Sequence, residues 1–361
     1  MTVRLRKQNL DVLLQATGQQ GGEGFQCTVD GQPHWLAKIY HQPPTDLEPK
    51  LEFMLQFPPH SIQAQVAWPL DMVEESGSVT GYVQPNFQNR IVAAELTSTS
   101  PPKWASRQYV ANVARDICLL IAELHAERYL FPDLHLGQFL IHAQEPVVLV
   151  DTASCQFRHK GQLFGCGSVV PDVQAPELLG ATDWTAVADQ RDQYTDAWSL
   201  AIIVFQLATR AHPFDGIDLG GGSNRTHCER MQAGAYPYAG NRQDVQPPAF
   251  ALPYAGLQPE LRDLFERCFI HGVTDRTQRP LASEWADTLM HLTTLRTDSG
   301  RPPKSRTPPA CHFVGSREPQ AKTSTNWFVV LVVLLILWCW WASGNTDSPS
   351  LASEWWQSFA R

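Results

Sequence analysis

The chain has 361 residues, 43% of them apolar and 18% charged, with a formal net charge of -8. This length and apolar content exclude a predominantly disordered chain and allow one large core or two medium ones. A net negative charge with no groove-reading motif argues against nucleic acid as a partner. Eight cysteines scattered without C-x-x-C pairs argue against a zinc knuckle or a disulfide framework, and read as free thiols in a reducing compartment.

Met1 to Leu14 carries Arg4, Arg6 and Lys7 but no apolar stretch of signal-peptide length, so the domain that follows is expected to stay where it is made. Gly18 to Phe25 then reads as a glycine-rich turn. Backbone N–H groups at Gly21, Gly22 and Gly24 can approach phosphates closely. Val29-Asp30-Gly31 reads as a hairpin turn into the strand Trp35 to Tyr40. That strand holds Lys38 inside an apolar run, where a charge needs a partner or a ligand. A short helix is expected between Glu48 and Phe57, and a further strand at Val79 to Val83.

Val110, Val113, Ala114, Ile117, Ile121 and Leu124 recur at helical spacing, which predicts a long helix over Val110 to Leu130. Phe131 to Ile141 follows it directly, and Val148-Leu149-Val150 is a short strand ending in Asp151. Asp133 and Asp151, at loop and strand ends separated by a hairpin, can thus face one site from two sides. Trp198 to Leu207 reads as a fully buried helix. The coarse expectation is α+β: a small β-rich lobe, then a larger helical one.

After Thr297 the composition turns to Pro, Ser, Thr and basic residues, as in a linker. Trp327 to Ala342, WFVVLVVLLILWCWWA, is then the one long apolar run. It sits at the short end of the roughly 17 to 25 residues that span a bilayer, with tryptophans at both ends as interface anchors. Arg301, Lys304, Arg306, Arg317 and Lys322 precede it and only Arg361 follows, which places the large domain in the cytoplasm. The run lacks a G-x-x-x-G face, so a homodimer through it is left open. The short tail offers Leu351, Trp355 and Phe359 at helical spacing to a bilayer surface.

The ordered motifs resemble the eukaryotic-type protein kinase family. The matching residues are the glycine-rich turn, Lys38, Glu48 or Glu52, Asp133 with Gln138, Asp151, Ala175-Pro176-Glu177, Asp196-Ala197-Trp198-Ser199-Leu200 and Arg279. The resemblance covers about residues 10 to 293. It implies a bilobal kinase fold over 1–295, with an N-lobe at about 8–87 and a C-lobe at about 100–293. A linker at 296–325, a transmembrane helix at 326–343 and a tail at 344–361 would follow.

The resemblance also implies roles, with ATP and Mg²⁺ as cofactors and a protein as substrate. Lys38 would hold the α- and β-phosphates and be held by a helix carboxylate, Glu48 in preference to Glu52. Asp151 and Gln138 would hold Mg²⁺. Asp133 would orient the substrate hydroxyl, with His135 beside it where Ser/Thr kinases carry a lysine. Gly81 to Pro85, including Tyr82 and Val83, would be the hinge whose backbone meets adenine. The activity implied is phosphoryl transfer to protein hydroxyls of the Ser/Thr type at the membrane; the alternative is a pseudokinase scaffold.

Several positions depart from the family pattern. Gln138 stands for the usual Asn, Phe131-Pro132 for His-Arg, and Asp151-Thr152-Ala153 for D-F-G. Ala153 adopts positive φ less readily than glycine. Gln19 occupies the place of the first loop glycine. Without an arginine before Asp133, a phosphate on Ser168 lacks its usual partner, which predicts activity independent of activation-segment phosphorylation.

Overall fold

The computed structural model describes residues 1–220, 224–240 and 242–298. The expected transmembrane helix at 326–343 and the tail at 344–361 lie outside the described residues. No helix of the described residues is long and apolar enough to cross a membrane.

The small lobe is a closed barrel in the order β1 (Thr2–Leu5), β2 (Leu10–Gln20), β3 (Gly24–Val29), β4 (Gln32–Tyr40), β6 (Ser78–Pro85) and β5 (Asp71–Glu75), with α1 (Leu47–Gln56) between β4 and β5 in sequence. Alternation builds it: Val3, Leu5, Val12, Leu14, Cys27, Val29, Ala37, Ile39, Val73 and Val83 form its core, one face of each strand turned inward. β1 pairs with both β2 and β5, so the lobe begins before the expected residue 8. Its four residues carry too little pattern to be read as a strand, and closure supplies them with two partners. The β3–β4 turn holds Gly31 at φ 71°, as the hairpin reading requires.

The larger lobe contains β7 (Ile91–Val92), α2 (Arg107–Ala126), β8 (Phe139–Ile141), β9 (Val148–Leu149), the hairpin β10 (Phe157–His159) and β11 (Gln162–Phe164), α3 (Gln193–Thr209), α4 (His227–Gln232), α5 (Pro259–Phe269) and α6 (Ala282–Asp298). α6 continues past the expected linker boundary at 295. α3 is buried on every side and starts with a capping box, in which Asp192 accepts the Thr195 amide while the Thr195 hydroxyl accepts the Asp192 amide. Trp198 on it packs against Phe214 and Phe269. α1 joins this larger core through Leu47, Leu51 and Met54. Trp68 donates to the Met54 carbonyl at 2.7 Å and Tyr129 to the Phe57 carbonyl at 2.9 Å. The helix is thereby tied to the lobe that follows it.

Candidate active site

Lys38 lies in β4 opposite Gln26 of β3 and Tyr82 of β6. The chain packs tightly there. A Cβ on Gly81 would stand 2.0 Å from the Lys38 carbonyl oxygen, and one on Gly24 would stand 2.1 Å from that of Ile39. Gly24 therefore serves strand packing, whereas Gly21 and Gly22, at the exposed tip between β2 and β3, face open space. Only these two of the three expected phosphate-loop glycines lie in the turn itself, which Gly21 closes by donating its N–H to the Gly24 carbonyl at 2.8 Å.

The Lys38 ammonium is 3.0 Å from Glu23 Oε2 and 2.5 Å from Asp151 Oδ1, and stands 5.1 Å from the Tyr40 ring centre. Burial opposes its charge, yet Tyr82, Asp151, Tyr40 and Glu23 together raise its pKa well above that of an ordinary lysine. Burial also pushes the two tyrosines up, so both are neutral at pH 7. The carboxylates of Asp151 and Glu23 are what hold the cation.

The expected glutamate partner is a correction. Leu47, Lys50, Leu51 and Met54 form the buried stripe of α1, which turns Glu48 and Glu52 away from Lys38. Glu48 pairs instead with Arg6 at 2.5 Å, and Glu52 is exposed. The partner comes from the glycine turn as Glu23, and the inward position on α1 carries Lys50, which donates to the Gly165 carbonyl at 3.0 Å. Sequence held a signal for both: a carboxylate inside a glycine turn, and a lysine within a helical apolar stripe.

Asp151 sits at φ 57°, ψ 38°, a left-handed conformation that Asp tolerates better than most residues. The positive φ falls on Asp151 and not on Ala153, which lies in a helical turn with Thr152 and Ser154. The alanine that replaces the motif glycine is therefore unstrained. Buried Thr152 donates its hydroxyl to the Ala67 carbonyl at 2.7 Å and fixes the segment from below.

Asp133 is set by its neighbours. Asp196 Oδ2, deep in α3, accepts the Phe131 N–H at 2.7 Å and lies 2.9 Å from His125 Nε2. Gln174 donates to the Pro132 carbonyl at 2.7 Å. Asp133 Oδ1 accepts the Val170 N–H at 2.6 Å, and its Oδ2 lies 3.4 Å from Gln138 Nε2 and 3.6 Å from His135 Nε2. His135 Nδ1 accepts the Gly137 N–H at 3.1 Å, so in the neutral ring the proton resides on Nε2, facing Asp133.

Gln138 is 3% exposed and its Oε1 has no hydrogen-bond partner. A buried amide oxygen left unsatisfied is costly unless a cation or water completes it. The backbone carbonyl of Gln138 accepts the Val150 N–H at 2.8 Å, which ties the residue to the strand end that leads into Asp151. No cluster of three His, Cys, Asp or Glu suited to a metal occurs among the described residues. Mg²⁺ held by one or two protein oxygens plus phosphates needs no such cluster, and Asp151 with Gln138 fits that need.

Tyr82 and Val83 are displaced from the expected adenine contact. Each is fully buried and flanked in the sheet by β4 on one side and β5 on the other, Lys38 and Met72 beside Tyr82, Ala37 and Asp71 beside Val83. From Gln84 onward only β4 flanks the strand, so within the expected hinge the free backbone edge starts at Gln84, past both residues.

Arg279 grips Glu177 through two bonds of 2.8 and 2.7 Å, donates to the Gly272 carbonyl at 2.8 Å, and lies 5.1 Å from the Trp198 ring centre. The Ala175-Pro176-Glu177 motif is thus fastened to α3 and to the turn after α5.

No family model matches the chain. It is 28% identical over 286 residues to "Protein kinase YegI" of Escherichia coli strain K12, a match covering 76% of this chain and 43% of that protein. The protein of the same name from Escherichia coli O157:H7 is also 28% identical, over 283 residues, 75% of this chain and 43% of its own length. The likeness supports a protein-kinase-like family. The chain spans less than half the length of these relatives.

Proposed function

We propose that this chain is an ATP-dependent protein kinase, of the Ser/Thr type, held at the cytoplasmic face of a membrane by its C-terminal apolar run. The observation that carries the reading is the meeting of Lys38 and Asp151, 113 residues apart in sequence, at 2.5 Å, with Gln138, whose amide oxygen is buried without a hydrogen-bond partner, tied through its backbone to Val150, the residue before Asp151. ATP with Mg²⁺ would supply the transferable phosphoryl group and the cation that neutralises it.

The chain's own residues bind, orient and accept. Lys38 offers a buried ammonium to phosphate oxygens, with Glu23 keeping it protonated and aimed. Asp151 and Gln138 present oxygens to the metal. Asp133 takes up or orients the hydroxyl proton of a protein substrate, and His135 Nε2 stands by that carboxylate where a lysine is usual. Asp196 and Gln174 fix the loop that carries Asp133. A nucleotide-binding scaffold is the second reading, favoured by one observation: among the described residues no helix glutamate holds Lys38.

Incubation of the purified full-length chain with labelled ATP separates the two. Label transferred to Ser or Thr, dependent on Mg²⁺ and abolished by chelation, is the expected result. Nucleotide binding without transfer to the chain itself or to generic protein acceptors would favour the scaffold. The membrane assignment rests on the apolar run and its basic flank. Full-length protein is expected to stay in the membrane pellet at alkaline pH, and recovery in the soluble fraction would overturn the tether.

A further inference from the structure

Two buried cations reach adjacent carbonyls of the segment between Asp151 and Glu177. Lys50, on the inner stripe of α1 and 6% exposed, donates to the Gly165 carbonyl at 3.0 Å. Arg191, just before α3 and 5% exposed, donates through Nη1 to the Cys166 carbonyl at 2.8 Å. One comes from the helix of the small lobe and the other from the body of the large lobe.

Neither cation has a carboxylate partner. No ion pair within 4.0 Å involves Lys50 or Arg191 among the described residues, and Arg191 Nε and Nη2 are buried without a hydrogen-bond partner. Burial pushes the Arg191 pKa down, opposed by the charges around it, Asp196 and Asp133 among them. A buried cation facing only neutral oxygens is an expensive arrangement. Two of them on consecutive peptide groups call for a reason beyond packing.

The segment they hold leads straight to the catalytic carboxylate. From Gly165 and Cys166 the chain runs through Ser168, whose carbonyl lies 3.0 Å from Cys166 Sγ, to Val170, whose N–H donates to Asp133 Oδ1 at 2.6 Å. Arg191 Nη1 also reaches Gln156 Oε1 at 3.4 Å. Gln156 exchanges both backbone hydrogen bonds with Leu130, at the entrance to the Asp133 loop, at 2.7 and 2.9 Å. The segment and the loop are therefore braced by the same guanidinium.

Ordering such a segment by phosphorylation works through new bonds between phosphate and arginine. Here Pro132 occupies the position where that arginine is expected, and Arg158, the other arginine nearest to Ser168 in sequence, is paired with Asp189. We propose that Lys50 and Arg191 form a built-in clamp that holds Gly165 and Cys166, and through them Val170 against Asp133, so that the segment is ordered without a phosphate. This inference rests on the kinase reading for its effect on rate, and on geometry alone for its effect on order. Both residues act through the backbone and are positioning residues.

The test uses full-length Lys50→Met and Arg191→Met beside wild type, with Lys50→Arg as the conservative variant and phosphatase-treated wild type as a further arm. Amide hydrogen exchange over residues 162–170 is expected to be about tenfold faster in either Met variant, with the exchange of α3 unchanged. The expected kcat falls by about a hundredfold, the scale of a misplaced catalytic group, while KM for ATP stays within about threefold. Lys50→Arg restores most of the rate, and phosphatase leaves wild type unaltered. A purely structural role would instead raise exchange in α3 and lower the melting temperature. That pattern, or unchanged exchange over 162–170, or loss of wild-type activity after phosphatase treatment, overturns the clamp. If wild type transfers no phosphate at all, the kinase reading fails while the exchange measurement still decides the clamp.

Discussion

Lys38→Met and Asp151→Asn should each lower phosphotransfer by at least about a hundredfold, the scale of losing one preorganised electrostatic group, while the melting temperature stays close to that of wild type. Methionine matches the lysine stem and removes only the ammonium. The Glu23 and Asp151 carboxylates it leaves behind are about one-third exposed, so water can solvate them. Asparagine is the appropriate replacement for Asp151 because that position has φ 57°, which Asn tolerates. A loss of rate in that variant then reports the missing charge and not a strained backbone. Initial rates on protein free of wild-type contamination decide the matter, and near-normal turnover in either variant would remove the kinase assignment. Glu23→Gln provides a finer reading: if Glu23 substitutes for the helix glutamate, its loss weakens the hold on Lys38 and lowers the rate, while Glu48→Gln leaves it unchanged.

The largest effect on stability is expected at Glu177. Its carboxylate is the sole ionic partner of Arg279 among the described residues, and the arginine side chain is 1% exposed. Glu177→Ala leaves a guanidinium buried against Trp198 with only the carbonyls of Gly272 and Tyr194 for company. Breaking a buried pair from one side costs about 3 kcal/mol, the lower end of the range because Glu177 is itself partly exposed. A fall of several degrees in melting temperature should follow. The double variant Glu177→Ala, Arg279→Met should recover much of it, because no charge is then left uncompensated. A single variant melting within a degree of wild type would show that hydration satisfies Arg279 by itself.

Much of this architecture was legible in the residues. The strands around Lys38 and Val83 are short apolar runs bounded by turn residues, α2 repeats with the helical period and α3 is one long apolar run, so their positions follow from local pattern. The order of the acidic and basic motifs was readable for the same reason: each lies at the end of an element whose pattern is strong. β1 was not legible, because four residues carry little periodicity and their pairing with β5 spans the whole lobe. α6 runs to Asp298, past the boundary expected at 295, because a change of composition marks a new segment without marking the residue at which a helix ends.

The sequence by itself determined which residues could do chemistry: a lysine in an apolar strand, two aspartates at loop and strand ends, an amide residue between them and a buried arginine motif. Only the tertiary structure decided who holds whom. Both helix glutamates were reasonable partners for Lys38 by spacing, since periodicity ranks the faces of α1 but not the lobe each face meets. Packing Leu47, Leu51 and Met54 against the larger core fixed the rotation of the helix, sent Glu48 to Arg6 and turned Lys50 inward. The vacated place beside Lys38 is filled by Glu23 because the β2–β3 register slips between Ala16 and Gln20, a local irregularity that re-aims the turn. Pair identity in a buried site is a property of three-dimensional closure. Contacts between residues 38 and 151, or 50 and 165, are set by how two lobes meet, and no local pattern encodes that.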